Sequence, residues 1–141
     1  SRQLSVIFDT QIKNHSDYLN NDIIVIDRLG LLYQVYKVSD ISFVGGSFHG
    51  SIHNVMEPAV YNKFILFGPT YRNSFEARNL LNINGAAVFN NSDELTNIVL
   101  DFYNNPNSKY KDYANNAYKL IQKNIGSSEI IFKKLKNILS I

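Results

Sequence analysis

The residues best suited to chemistry lie in one stretch, where Val44 is followed by Gly45-Gly46-Ser47-Phe48-His49-Gly50-Ser51-Ile52-His53-Asn54 and then Val55-Met56-Glu57-Pro58-Ala59. Paired glycines let backbone approach a ligand closely, and a helix beginning near Asn54 would aim N–H groups and its positive dipole end at an anion. A phosphate suits such a loop. The glycine spacing matches neither the dinucleotide fingerprint nor a P-loop, which would end in Gly-Lys-Ser/Thr, so spacing alone does not name the ligand. Glu57 has two readings. It stands three residues after Asn54, the spacing of a capping box; equally, its carboxylate could accept hydrogen bonds from a ribose-like vicinal diol. His49 and His53 sit four residues apart in a glycine-containing loop without helical geometry or an evident third ligand, so no metal is expected.

Two further loops are placed for ligand contact. Asp27-Arg28-Leu29-Gly30 reads either as an ordinary turn or as one that sets Arg28 on the rim of a site. Gly68-Pro69-Thr70-Tyr71-Arg72-Asn73-Ser74-Phe75-Glu76 opens on a turn-forming Gly-Pro, after which Arg72 and Asn73 could meet a ligand. The same residues also read as a helix entry with Asn73 or Ser74 as cap. No Ser/His/Asp order and no paired-carboxylate spacing makes a self-contained catalytic site.

The elements that must hold these loops are short apolar runs with amphipathic segments between them. Leu4 to Phe8, Ile23 to Ile26, Ile41 to Val44, Phe64 to Phe67 and Ala86 to Phe89 lack polar alternation and read as strands buried on both faces. Helices are expected over Leu31 to Val38, Asn54 to Tyr61, Ser74 to Leu81, and Asp93 to Tyr103 capped by Ser92 or Asn91. After a turn at Asn104-Asn105-Pro106-Asn107, two more follow, Lys111 to Asn124 and Ser127 to Leu139, separated by Gly126. Alternating strands and helices predict an α/β, Rossmann-like fold with a mainly parallel sheet and helices on both faces. Ligand loops of such folds lie beyond the carboxyl ends of the strands.

The 141 residues are 45% hydrophobic and 18% charged, ordinary for one globular domain with a core, and the formal net charge of +2 implies no nucleic-acid partner. There is no cysteine, hence no disulfide, thiolate metal site or catalytic thiol. No apolar run approaches the roughly 20 residues of a membrane-spanning helix. The chain begins without Met, just before an apolar stretch, which raises the expectation of a fragment of something longer. The last helix sets Lys133, Lys134 and Lys136 beside Ile130, Ile131, Leu135, Ile138 and Leu139. A membrane-surface role is conceivable, but packing of its apolar stripe on the sheet is the expectation.

The wording of these loops resembles one family. Ser39-Asp40-Ile41-Ser42-Phe43-Val44-Gly45-Gly46-Ser47, then His53-Asn54-Val55-Met56-Glu57-Pro58-Ala59, then Leu66-Phe67-Gly68-Pro69 with Asn73 and Phe75, are similar to the C-terminal domain of 3-deoxy-D-manno-octulosonic acid (Kdo) transferases. Asp27-Arg28-Leu29-Gly30 fits less distinctively, and the resemblance runs from Ile23 to Leu139. It implies a two-domain GT-B glycosyltransferase of the bacterial inner membrane's cytoplasmic face, moving Kdo from CMP-Kdo to a lipid A precursor in lipopolysaccharide biosynthesis. Residues 1–141 would be one domain, its C-terminal donor half, a three-layer sandwich lacking its first strand.

By the same resemblance, Gly45, Gly46 and Ser47 would line the donor cleft, Asn54 would hold the CMP phosphate and Glu57 the ribose hydroxyls, with His53 beside them. Arg28, Gly68, Pro69 and Asn73 would be further donor or acceptor contacts. The family's general base, its acceptor surface and any membrane anchor lie in the N-terminal domain, so no catalytic residue is expected here, nor any cofactor or metal. The fragment alone would bind CMP weakly and transfer nothing. Phe48-His49-Gly50-Ser51-Ile52 departs from the commoner pattern, which has a double glycine before the His-Asn. Two rival readings are a GT-B transferase using a UDP-sugar and a non-catalytic α/β nucleotide-binding module.

Overall fold

Apolar runs become strands and Asn- or Ser-led segments become helices in a computed structural model, which describes residues 2–139. The chain divides into two compact units, Ser1–Val38 and Ser39–Ile141. In the first, β1 (Val6–Phe8) pairs in parallel with β2 (Ile23–Val25), Val6 opposite Ile23. A 3-10 turn, Asp9–Gln11, and a helix, α1 (His15–Leu19), join them. Neither was legible in the sequence, because the segment is polar and without period; Asp17 shapes it by accepting the Lys13 N–H at 2.8 Å and the Asn14 N–H at 3.2 Å. α2 (Leu32–Val38) completes the unit. Contrary to expectation, these strands are not buried on both faces: Val6 is 52% exposed and Ile23 40%. A pair of two short strands offers too little sheet to cover.

In the second unit, β3 (Ile41–Val44), β4 (Phe64–Phe67) and β5 (Ala86–Val88) form a parallel sheet in the order β3-β4-β5. The register sets Val44 opposite Phe67 and Phe67 opposite Val88. The helices are α3 (Met56–Val60), α4 (Phe75–Asn82), α5 (Ser92–Asn104), α6 (Lys109–Asn124) and α7 (Ser127–Leu139). Every β4 residue is buried, as a central strand with both faces covered must be. Phe64 and Leu66 pack with Ala87, Phe89 and Phe102 on one face; Ile65 and Phe67 pack with Val44, Val55, Ala59 and Leu80 on the other. α6 serves both, with Ala117 in one cluster and Tyr110 and Tyr113 beside the other. The Phe64 ring stacks 5.3 Å from Phe102 and 5.0 Å from Tyr110.

Polar side chains punctuate this unit. Ser74 Oγ accepts the Ala77 N–H at 3.1 Å, and Asn91 Oδ1 accepts the Glu94 N–H at 2.9 Å, so Asn91 rather than Ser92 caps α5. Ser108 caps α6, which starts two residues before Lys111. Asn62 and Asn84 hold positive φ, 56° and 51°, a conformation asparagine tolerates better than most residues.

α7 overturns one expectation. It does not pack on the sheet: none of its described residues is buried, and Ile131, Leu135 and Ile138 are 58%, 50% and 76% exposed. Both faces of β4 are already covered by α3 to α6, and after Gly126, at φ 87°, the chain finds no open sheet.

Candidate functional site

The loop after β3 closes on itself where the His53 N–H donates to the Gly45 carbonyl at 3.1 Å. That closure requires glycine at 46. Gly46 has φ 87°, and a Cβ there would stand 2.3 Å from the Ser51 carbonyl oxygen and 2.9 Å from the His53 ring. Gly45 is less constrained, since a Cβ would meet the same ring at an ordinary 3.8 Å.

Ser47 joins two loops. Its side chain is fully buried, its Oγ accepts the Gly68 N–H at 2.6 Å, and its carbonyl accepts the Thr70 N–H at 2.9 Å. Two bonds from one residue thus bind the β3–α3 loop to the β4–α4 loop. The Phe48 ring seals the junction, lying where a Cβ on Gly68 would fall 2.5 Å away. Phe48 also packs 5.5 Å from Phe89, which lies 5.4 Å from Phe43. Sequence reasoning passed over these rings; the signal available was a bulky aromatic inside a run of small residues.

At the start of α3 the capping box is not formed. Asn54 Oδ1 accepts the Met56 N–H at 2.9 Å, while Asn54 Nδ2 donates to Glu57 Oε1 at 3.0 Å. The carboxylate therefore bonds the Asn54 side chain, not its backbone. Glu57 is exposed, and its other oxygen makes no hydrogen bond among the described residues. The helix is also shorter than the expected Asn54 to Tyr61, with Val55 as its N-cap.

Two hollows adjoin these loops. One, of about 510 Å³, is bordered by Phe43, Gly45, Gly46, Phe48 and His53; the other, of about 360 Å³, by His53, Asn54, Met56, Asn73, Ser74 and Glu76. His53 borders both, and Asn73 from the β4–α4 loop reaches the second. Gly68 is buried and Pro69 exposed, so Gly68 supports the site from beneath. Arg28 belongs to the first unit, where its guanidinium is ion-paired with the buried Asp9 carboxylate. There Asp27 is held below the usual carboxylate range, chiefly by the Thr10 hydroxyl, which donates at 2.6 Å. Arg28 thus has a structural partner the sequence did not reveal. His49 and His53 gain no company either: among the described residues no group of three or more His, Cys, Asp or Glu is placed to hold a metal.

A parallel sheet with helices on both faces and glycine-rich loops at its strand ends defines a Rossmann-like α/β domain, of the kind that forms the C-terminal half of GT-B glycosyltransferases. By sequence, the chain is similar to the 3-deoxy-D-manno-octulosonic acid transferases. It is 36% identical over 114 residues to the one from Rickettsia prowazekii (strain Madrid E), a match covering 79% of this chain and 25% of that protein. A bifunctional glycosyltransferase/methyltransferase of Fusobacterium nucleatum is 29% identical over 107 residues, covering 74% of this chain and 17% of that one. The C-terminal CMP-Kdo binding domain of WaaA from Acinetobacter baumannii has the same fold, with a TM-score of 0.72 at 24% identity over 84% of this chain and 62% of that one. No family model matches. The chain spans about a quarter of the length of the curated Kdo transferases it matches first.

Proposed function

We propose that this chain is the donor-binding domain of a Kdo transferase and that its nucleotide site is the β3–α3 loop with the start of α3. The observation that carries this is the Gly45-to-Glu57 loop itself. It is closed by the His53–Gly45 bond, locked to its neighbour through Ser47, and flanked by two hollows at the carboxyl ends of the strands. Similarity to Kdo transferases and to a CMP-Kdo binding domain supports CMP-Kdo as the ligand.

In this reading, backbone around Gly45 and Gly46 accommodates the CMP phosphate, with Asn54 and His53 at its side. The unbonded Glu57 oxygen receives the ribose hydroxyls. Ser47, Gly68 and Pro69 hold the loops in register, and Asn73 faces the bound sugar. As the bond to Kdo breaks, negative charge builds on departing CMP, and preorganised N–H donors stabilise it without having to reorient. This half thus assists the leaving group. The general base and the lipid A precursor's binding surface belong to the N-terminal domain of the whole enzyme, which acts at the cytoplasmic face of the inner membrane. No described helix is long and apolar enough to cross a membrane.

The likeness to a bifunctional glycosyltransferase/methyltransferase favours one second reading, a different sugar nucleotide in the same loop. A titration with CMP and UMP, followed by amide NMR, separates the two. Shifts confined to residues 45–57 and stronger for CMP support the Kdo reading; stronger shifts with UMP support the second, and none with either overturns both.

A further inference from the structure

The chain has four arginines. Arg2 and Arg28 are each ion-paired with an aspartate, Asp22 and Asp9. Among the described residues Arg72 and Arg78 have no carboxylate partner, and both border one hollow of about 390 Å³ beside α4. Tyr71, Phe75, Asn79, Leu81 and Asn82 complete its lining, and no acidic residue is among them. Among the described residues Arg78 spends only its Nε, on the Ser74 carbonyl at 3.4 Å, leaving its terminal NH groups available. The side chains of Asn79 and Asn82 make no hydrogen bond among the described residues, and the Phe75 ring is 64% exposed.

Two guanidinium groups sharing a hollow repel each other, and among the described residues neither is in an ion pair. Guanidinium forks match the geometry of carboxylate and phosphate. The amides add donors and acceptors suited to hydroxyls, and an exposed ring beside them can take the C–H face of a sugar. We propose that this hollow is a second ligand site, separate from the nucleotide loop, that binds an anionic sugar through its carboxylate or phosphate. Arg72 and Arg78 grip the anion, Asn79 and Asn82 bond the hydroxyls, and Phe75 supports the ring. The site goes beyond the nucleotide reading and does not depend on it.

The test uses the whole chain and amide NMR, with free Kdo as the carboxylate probe, glucosamine 6-phosphate as the phosphate probe, mannose as the neutral control and CMP run separately. Saturable shifts at residues 75 and 78–82 with either acidic sugar, absent with mannose and not confined to residues 73, 74 and 76 beside the nucleotide loop, are expected; which one binds tells carboxylate from phosphate. Arg72→Gln with Arg78→Gln should weaken that binding roughly tenfold or more, and the Lys replacements, which keep charge but lose the fork, by less. The Lys pair also serves should the Gln pair fail to fold. No shift at 75 and 78–82 with either acid, equal shifts with mannose, or undiminished binding by the Gln pair would overturn the proposal. Loss of CMP binding alone would count against the nucleotide reading and leave this one standing.

Discussion

The Ser47 hydroxyl accepts the backbone N–H of Gly68 across 2.6 Å, so a residue from one strand-end loop is the fixed point of the next. Its environment is fully buried, and water cannot replace the bond cheaply. Ser47→Ala should destabilise the fold by about 1–3 kcal/mol, the cost of a buried donor left unsatisfied. Urea denaturation would measure it. An unchanged midpoint would mean that the two loops hold their register without this latch.

Gly68 and Phe48 should be coupled. Gly68→Ala drives a Cβ into the Phe48 ring and should cost about 1–3 kcal/mol by overpacking. In a Phe48→Ala background most of that penalty should vanish. A double-mutant cycle in thermal or urea unfolding gives the coupling; additive effects would show that the ring does not depend on the missing Cβ.

Glu57→Ala should lower CMP affinity roughly tenfold or more, the range for a hydrogen bond to a charged group. Stability should change little, since the carboxylate is exposed and bonds only the Asn54 side chain. Calorimetric titration with CMP decides. Retained affinity with a lowered melting point would return Glu57 to a purely local role at the start of α3.

Stability should fall on acidification. Asp101 lies below its ordinary value because the Ser108 hydroxyl donates to it at 2.6 Å and the Asn105 amide at 3.1 Å, joining the end of α5 to the start of α6. Glu94 is lowered chiefly by the Asn90 backbone N–H. A carboxylate depressed by folding stabilises fully above its unfolded value, about 4, and loses that contribution as pH falls through its folded value. Urea midpoints should therefore drop as pH falls below about 4, and less steeply in Asp101→Asn. An identical acid limb in the variant would remove Asp101 from the account.

Much of the second unit was legible before any coordinates. Phe64 to Phe67 is apolar without alternation, and β4 is buried at all four positions, because only a central strand covered on both faces has use for such a run. Cap residues are read by neighbours in sequence, which is why Ser74 was one of two candidates at α4 and Asn91 one of two at α5. α1 went unseen because Asp17 builds it from polar contacts that leave no hydrophobic period.

The candidate site divides along the same line. Sequence alone determined that residues 45–57 form a glycine-rich strand-end loop with an acid just inside a helix, since glycine and carboxylate chemistry is local. Tertiary structure decided the rest. It buried Ser47 under Gly68, engaged Arg28 with Asp9, set Arg72 and Arg78 around one hollow, and left the α7 stripe without a sheet to cover. Each of those outcomes depends on which distant group arrives at hydrogen-bonding or packing distance, and periodicity along a chain carries no record of that.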